Sequence, residues 1–234
     1  MDTIFSSYFV TKEDPQRHKV HAGHDFGKMK QWYNSVNELG LNGVIFQDHM
    51  VDSFIEEYWT ENIKFAFTQL GSRSVNDESY YSYYDYLSNH PEIDRVFMTD
   101  LFDVRFFRDP FELFRDNYQL YIGDEQGTIG ENGWMQEKYR RMVECTDLVE
   151  PETIYSKPVL NSGIIGGKRD QVLLVIENML CWFEELPDKL NMNMPVLNLV
   201  VRKHFDEEEI MHGFPLNSLY KEYEEEGDFY IKHK

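Results

Sequence analysis

The sequence predicts a single α/β domain with a mixed, mainly parallel central sheet flanked by helices. Short apolar runs rich in β-branched and aromatic residues alternate with amphipathic segments of helical period, which is the pattern of βαβ units. Hydrophobic residues make up 41% of the 234 residues and aromatic residues 15%, enough to bury a substantial core. No repeat, low-complexity stretch or linker interrupts the alternation, so residues 1–234 read as one domain.

Thr3 to Val10 (TIFSSYFV) has the composition of a first strand, followed by a loop with the local cations of Asp14-Pro15-Gln16-Arg17-His18-Lys19. Phe26, Met29, Trp32, Tyr33, Val36 and Leu39 then recur at helical spacing, closed by Gly40 as a C-terminal cap. GVIFQ (Gly43 to Gln47) is a second strand, Val51 to Trp59 a short helix and Ile63 to Leu70 a third strand. Ser74 to Glu78 supplies capping residues for a helix through Leu87 that stops before Pro91. Val96-Phe97-Met98 is a short buried strand, and Asp109-Pro110-Phe111 a helix start with proline at its first position. Tyr118 to Ile122 is a further strand leading into Gly123-Asp124-Glu125, and Glu131 to Cys145 a helix. Pro158 to Gly167 (PVLNSGIIGG) contains a strand with glycines, although a tight strand-to-helix turn explains those glycines equally well. Arg169 to Leu186 and Pro195 to Phe205 are helices, and Asp228 to Lys234 is a short strand or an extended tail.

The net charge of −19 argues against a nucleic-acid surface or an anionic membrane as partner. No stretch approaches the ~18 apolar residues of a membrane span, and Met1 to Val10 lacks the basic start of a signal peptide. A cytoplasmic protein is the expectation. Cys145 and Cys181 have no metal spacing and read as reduced thiols.

Four groups recur at expected strand ends. Asp100 and Asp103 follow the strand around Phe97, where open α/β sheets place ligands. They fit a turn or cap, and they equally fit an anchor for Mg²⁺ or Mn²⁺ carrying a phosphorylated substrate. Asn161, Ser162 and Gly163 offer hydrogen bonds and close backbone approach suited to a sugar or phosphate. The terminal Lys232-His233-Lys234 offers an imidazole and ammoniums for a metal shell and a diphosphate, or else is a frayed basic tail. Lys64, Arg73, Asn76 and Asp77 form the fourth group, with Arg73 suited to a phosphate and Asp77 to a ribose or a cation; a salt bridge and a helix cap also account for them.

The ordered set IFSSYFV with DPQR, NDESYYSYYDYL, RVFMTDLFDVRFFRDPFELF, LYIGDE, LNSGIIGG, MPVLNLVV and YIKHK resembles the GT-A glycosyltransferases, a Rossmann-like fold that uses nucleotide-sugar donors. Among them it is most similar to the small cytosolic glycosyltransferase domains of large algal viruses and their plant and algal relatives. The resemblance implies a metal-dependent transferase moving a sugar from a donor such as a UDP-sugar to a glycan or glycoprotein acceptor, with Mn²⁺ or Mg²⁺ as cofactor. It assigns Asp103 and His233 as metal ligands, Asp100 as a ribose or metal contact, and Lys234 to the β-phosphate. Here the family's Asp-x-Asp is Asp-x-x-Asp, which leaves the division between the two acids open. The resemblance puts Ser7, Tyr8, Arg17 and Arg73 around the nucleoside, and Asn161 and Gly163 in the sugar pocket. Asp124 and Glu125 fall beside the transferred sugar or acceptor, where either could act as base. Asn193 stands where relatives carry an acid, with nearby Asp188 as a substitute. The late Asn-rich segment and terminal His look more like the retaining enzymes. Three readings compete: a metal-dependent phosphatase or hydrolase, a sugar nucleotidyltransferase, and a silent nucleotide-sugar-binding module. The first lacks an early nucleophilic acid, and the second lacks a glycine-rich loop after the first strand.

Overall fold

The computed structural model describes residues 1–15, 18–146, 152–187, 190–217 and 227–234. In chain order the elements are β1 (Asp2–Tyr8), β2 (Glu13–Asp14), β3 (Lys19–Val20), α1 (Phe26–Glu38), β4 (Gly43–Gln47), α2 (Asp52–Tyr58), β5 (Ile63–Phe67), α3 (Val75–Asn89), β6 (Arg95–Thr99) and β7 (Val104–Phe106). They continue with β8 (Leu120–Thr128), α4 (Gly133–Cys145), β9 (Pro158–Lys168), α5 (Arg169–Glu185), α6 (Asn193–His204), β10 (Ile210–Asn217) and β11 (Ile231–His233). Among the described residues no helix is long and apolar enough to cross a membrane.

A nine-stranded sheet in the order β5-β4-β1-β6-β9-β8-β10-β11-β7 forms the centre, and β2 pairs with β3 in a separate hairpin. Seven of the nine strands run in one direction, with β9 and β7 reversed. The architecture is the expected mixed, mainly parallel sheet. Side chains alternate across a strand, so each central strand feeds two cores. Phe5, Val44, Phe46, Val96 and Met98 join the core packed against α3, α4, α5 and α6. Their neighbours Ile4, Ile45 and Phe97 join the opposite core with Met29, Trp32 and Val36 of α1.

Local chemistry sets the ends of several elements. Gly40 at φ +64° closes α1, with its N–H donating to the Asn37 carbonyl at 3.1 Å. Ser74 caps α3 by accepting from the Asp77 N–H at 3.3 Å. Asp109 and Pro110 start only a single 3₁₀ turn, Pro110–Leu113, rather than an α-helix.

Two findings change the sequence reading. The glycines of LNSGIIGG are not a strand-to-helix turn: β9 is one extended strand through Lys168, antiparallel to β6 on one side and β8 on the other. Gly166 lies opposite Phe97, and a Cβ there would sit 2.3 Å from Cε1 of that ring, so the glycine makes room for a core aromatic. The strands β7 and β10 go unread in the sequence. β7 has only three residues, and β10 is interrupted by Gly213, at φ +73°, and Pro215, with its pairing to β8 irregular between His212 and Asn217. Cys145 and Cys181 are free and exposed. Of the acidic stretch KEYEEEGD (Lys221 to Asp228), which the sequence reads as a solvated surface turn, residues 221–226 lie outside the described residues.

Gly166→Ala is expected to lower stability by about 1–3 kcal/mol through overpacking against Phe97, read as a lower denaturant midpoint at unchanged slope. An unchanged midpoint would mean that the strand pair spreads at no cost.

Candidate functional site

The site begins where β6 stops. Beyond Thr99 the Asp100 N–H donates to the Gly163 carbonyl of β9 at 3.0 Å, tying the acidic loop to the middle of the sheet. Asp103 is followed at once by β7, which pairs antiparallel with β11 so that Val104 faces His233. The Lys234 N–H donates to the Asp103 carbonyl at 3.0 Å. Backbone pairing therefore delivers the imidazole from the end of the chain to two acids more than 100 positions earlier.

His233 Nε2 lies 3.4 Å from Asp100 Oδ2 and 3.5 Å from Asp103 Oδ1. One ligand atom from each of the three residues falls within 4.8 Å of the others. The imidazole is buried, Asp103 is partly covered and Asp100 is exposed. Gly163 forms the floor: a Cβ on it would stand 2.4 Å from His233 Cε1. Burial alone would push the imidazole's proton affinity down, but hydrogen bonds to and the charges of Asp100 and Asp103 outweigh it and raise the pKa to about 10. Two carboxylates thus favour a positive charge on the imidazole between them.

The three residues open onto a cleft of about 510 Å³. Glu125 of β8 lines it with both oxygens held: Asn161 Nδ2 donates to Oε1 at 2.9 Å and Asn132 Nδ2 to Oε2 at 3.3 Å. Burial pushes the Glu125 carboxyl up, opposed by the Asn161 hydrogen bond and by the charge of His233. Ser162 accepts from Asn193 Nδ2 at 2.9 Å, joining β9 to the start of α6 across the cleft floor. At the other end Asp14 and His21 stand 3.3 Å apart, and Phe102, between the two acids in sequence, packs on His21 and Tyr8 at centroid distances of 4.8 and 5.1 Å. Among the described residues no Lys or Arg lines this cleft.

Of the residues singled out in the sequence, Ser7, Asn76, Asp100, Asp103, Glu125, Asn161, Ser162, Asn193 and His233 line the cleft together. The others stand elsewhere. Tyr8 is buried beneath Phe102, its hydroxyl donating to the Ala22 carbonyl at 2.6 Å, and burial pushes its pKa up to about 12. Arg73 donates to the Leu186 carbonyl at 2.9 Å and ties α3 to the end of α5. Asp77 is buried and accepts from the Met192 N–H at 3.0 Å, holding the approach to α6. Desolvation pushes its carboxyl up to about 6 against the pull of the Ser74, Met192 and Asn193 hydrogen bonds. Asp124 points to the opposite face of β8 from Glu125 and pairs with His212 Nδ1 at 2.9 Å. Gly163 supports His233 from below, and Lys234 is exposed and does not line the cleft. Arg17 and Asp188 lie outside the described residues.

Asp14, His21, Phe102, Asn132, Trp134 and Met194 also line the cleft and were not singled out in the sequence. Asn132 and Trp134 carried a signal, an Asn-Gly-Trp at a helix start, but a cap accounts for it. The chain matches no protein-family model and no curated protein.

Two outcomes are expected. His233 binds its proton more tightly in the folded chain than its ordinary 6.5, so the stability it contributes is complete below pH 6.5 and is lost as pH rises through about 10. The melting temperature of the metal-free protein should fall across that window, and fall less in His233→Gln. Gly163→Ala should displace the imidazole from the two acids and flatten the high-pH fall in melting temperature as His233→Gln does; an unchanged pH profile would remove Gly163 from the site.

Proposed function

We propose that the chain is a metal-dependent glycosyltransferase that moves a sugar from a nucleoside-diphosphate donor to an acceptor hydroxyl. One observation carries this reading: Asp100, Asp103 and His233 converge at the edge of a polar cleft that also holds a clamped carboxylate, Glu125, and has no lining Lys or Arg among the described residues. A diphosphate entering so acidic a cleft needs a cation to screen it. The donor set of two carboxylates and one imidazole fits a divalent ion, and the nitrogen favours Mn²⁺ over Mg²⁺. When bound, such an ion neutralises charge on the departing diphosphate.

The chain's own residues do the rest. Asp100, Asp103 and His233 hold the cation at the end of β6. Asn161 and Asn132 fix the Glu125 carboxylate, and burial raises its proton affinity toward the working range of a base. As the acceptor oxygen bonds to the anomeric carbon and the bond to the diphosphate oxygen breaks, Glu125 takes the hydroxyl proton; this single displacement inverts the anomeric carbon, unlike the retaining enzymes that the late Asn-rich segment and terminal His resemble. The amides of the cleft orient the transferred sugar. A uridine diphosphate donor is the choice that the resemblance in the sequence supports, with a glycan or glycoprotein as acceptor.

Thermal stabilisation tests this. UDP is expected to raise the melting temperature only with Mn²⁺ present, and Asp103→Ala to abolish both that shift and metal-dependent hydrolysis of UDP-sugars. Indifference of the wild-type chain to UDP, CDP, GDP and their sugars with Mn²⁺ present would overturn the reading. Glu125→Gln should slow transfer by about 10²–10⁴-fold, the range lost with a general base, measured by UDP release in the presence of acceptor.

A further inference from the structure

The cleft has two chemically different ends. The Asp100 side carries the imidazoles and three of the four acids, whereas the side built by β8, the first turn of α4 and the start of α6 is lined by Asn132, Asn161, Asn193, Glu125 and the indole of Trp134. Trp134 is 38% exposed, whereas among the described residues most aromatic side chains are buried or half-buried. Lys138, one turn along α4, holds it from one side: its ammonium lies 5.3 Å from the ring centroid and donates to the Leu190 carbonyl at 2.6 Å. Asn132 fixes the platform relative to the carboxylate. Its Oδ1 accepts from the Met135 N–H at 3.1 Å, capping the helix that carries Trp134, and its Nδ2 donates to Glu125.

We propose that this end of the cleft is a subsite for a neutral sugar ring, with its C–H face stacked on Trp134 and its hydroxyls bonded to the amides and Glu125. An aromatic plane beside amide groups and one carboxylate matches a ligand that is apolar on one face and studded with hydroxyls at its edge. An anionic ligand would meet the Glu125 carboxylate with no lining Lys or Arg among the described residues to offset it, the neighbouring Lys138 ammonium being engaged by the Leu190 carbonyl and the indole face. A wholly apolar ligand would strip water from three side-chain amides without replacing their hydrogen bonds. As the acceptor subsite of a transferase the proposal rests on the function proposed above. As a sugar site it does not, and the experiment separates the two.

Metal-free and nucleotide-free wild-type chain is titrated with methyl glucoside, galactoside, mannoside and xyloside, and with methyl glucuronide as the charged control. The Trp134 indole N–H signal is followed by heteronuclear NMR, assigned through Trp134→Phe. At least one neutral glycoside is expected to move that signal saturably and to bind more tightly than the glucuronide. Trp134→Ala should weaken it about tenfold, the scale of losing one stacked aromatic, and Trp134→Tyr should largely restore it. No movement with any glycoside, or equal affinity in Trp134→Ala, overturns the subsite. The Mn²⁺-dependent UDP shift, measured on the same wild-type preparation, reports on the donor site. A positive shift with no glycoside binding removes the subsite alone, and glycoside binding without a shift keeps the subsite while removing the transferase reading.

Discussion

Two carboxylates held within one ion's reach of each other need a positive charge between them, and much of this fold is arranged to supply it. Asp100 and Asp103 follow a central strand, and β11 brings His233 to them by pairing with β7, the short strand that starts directly after Asp103. The same pairing closes one edge of the sheet. Sheet closure and assembly of the charge cluster are therefore one event. Gly163 connects the cluster to the middle of the sheet, because only a residue without a side chain lets the imidazole approach β9 this closely while its carbonyl receives the Asp100 N–H.

The chemistry around the cluster is one of restraint rather than of charge. The cleft is lined by acids, amides and aromatics; Arg73, which the sequence offers for a phosphate, holds the end of α5 instead, and Lys138 holds Trp134. Glu125 is held by two amides, one from β9 and one from the cap of α4. A carboxylate fixed at both oxygens keeps its direction when the rest of the cleft rearranges around a ligand.

The layered α/β class and the placement of most helices were legible because periodicity reports burial directly, and both faces of β1, β4 and β6 are covered. The acids and the terminal imidazole could be named from residue type and position at strand ends, but their meeting could not: it depends on the pairing of β7 with β11, two strands of three residues each. β10 stayed hidden because Gly213 and Pro215 interrupt its pattern. Tyr8, Arg73 and Asp77 are polar groups at plausible places that the fold spends on its own scaffold, which residue type alone does not disclose. Trp134 was missed for the opposite reason, since an aromatic in a helix start reads as core until its exposure is known.

Asn132 joins two demands in a single side chain. As a helix cap it has equivalents: aspartate or serine would accept the Met135 N–H as well. As the donor to Glu125 it has none of these substitutes, because aspartate would set a second anion against the carboxylate and serine is too short to keep both contacts. Selection for folding alone would let this position drift among the capping residues, whereas selection for an oriented Glu125 would hold it at asparagine. The residue found there across relatives of the chain is therefore a record of which of the two pressures has been at work.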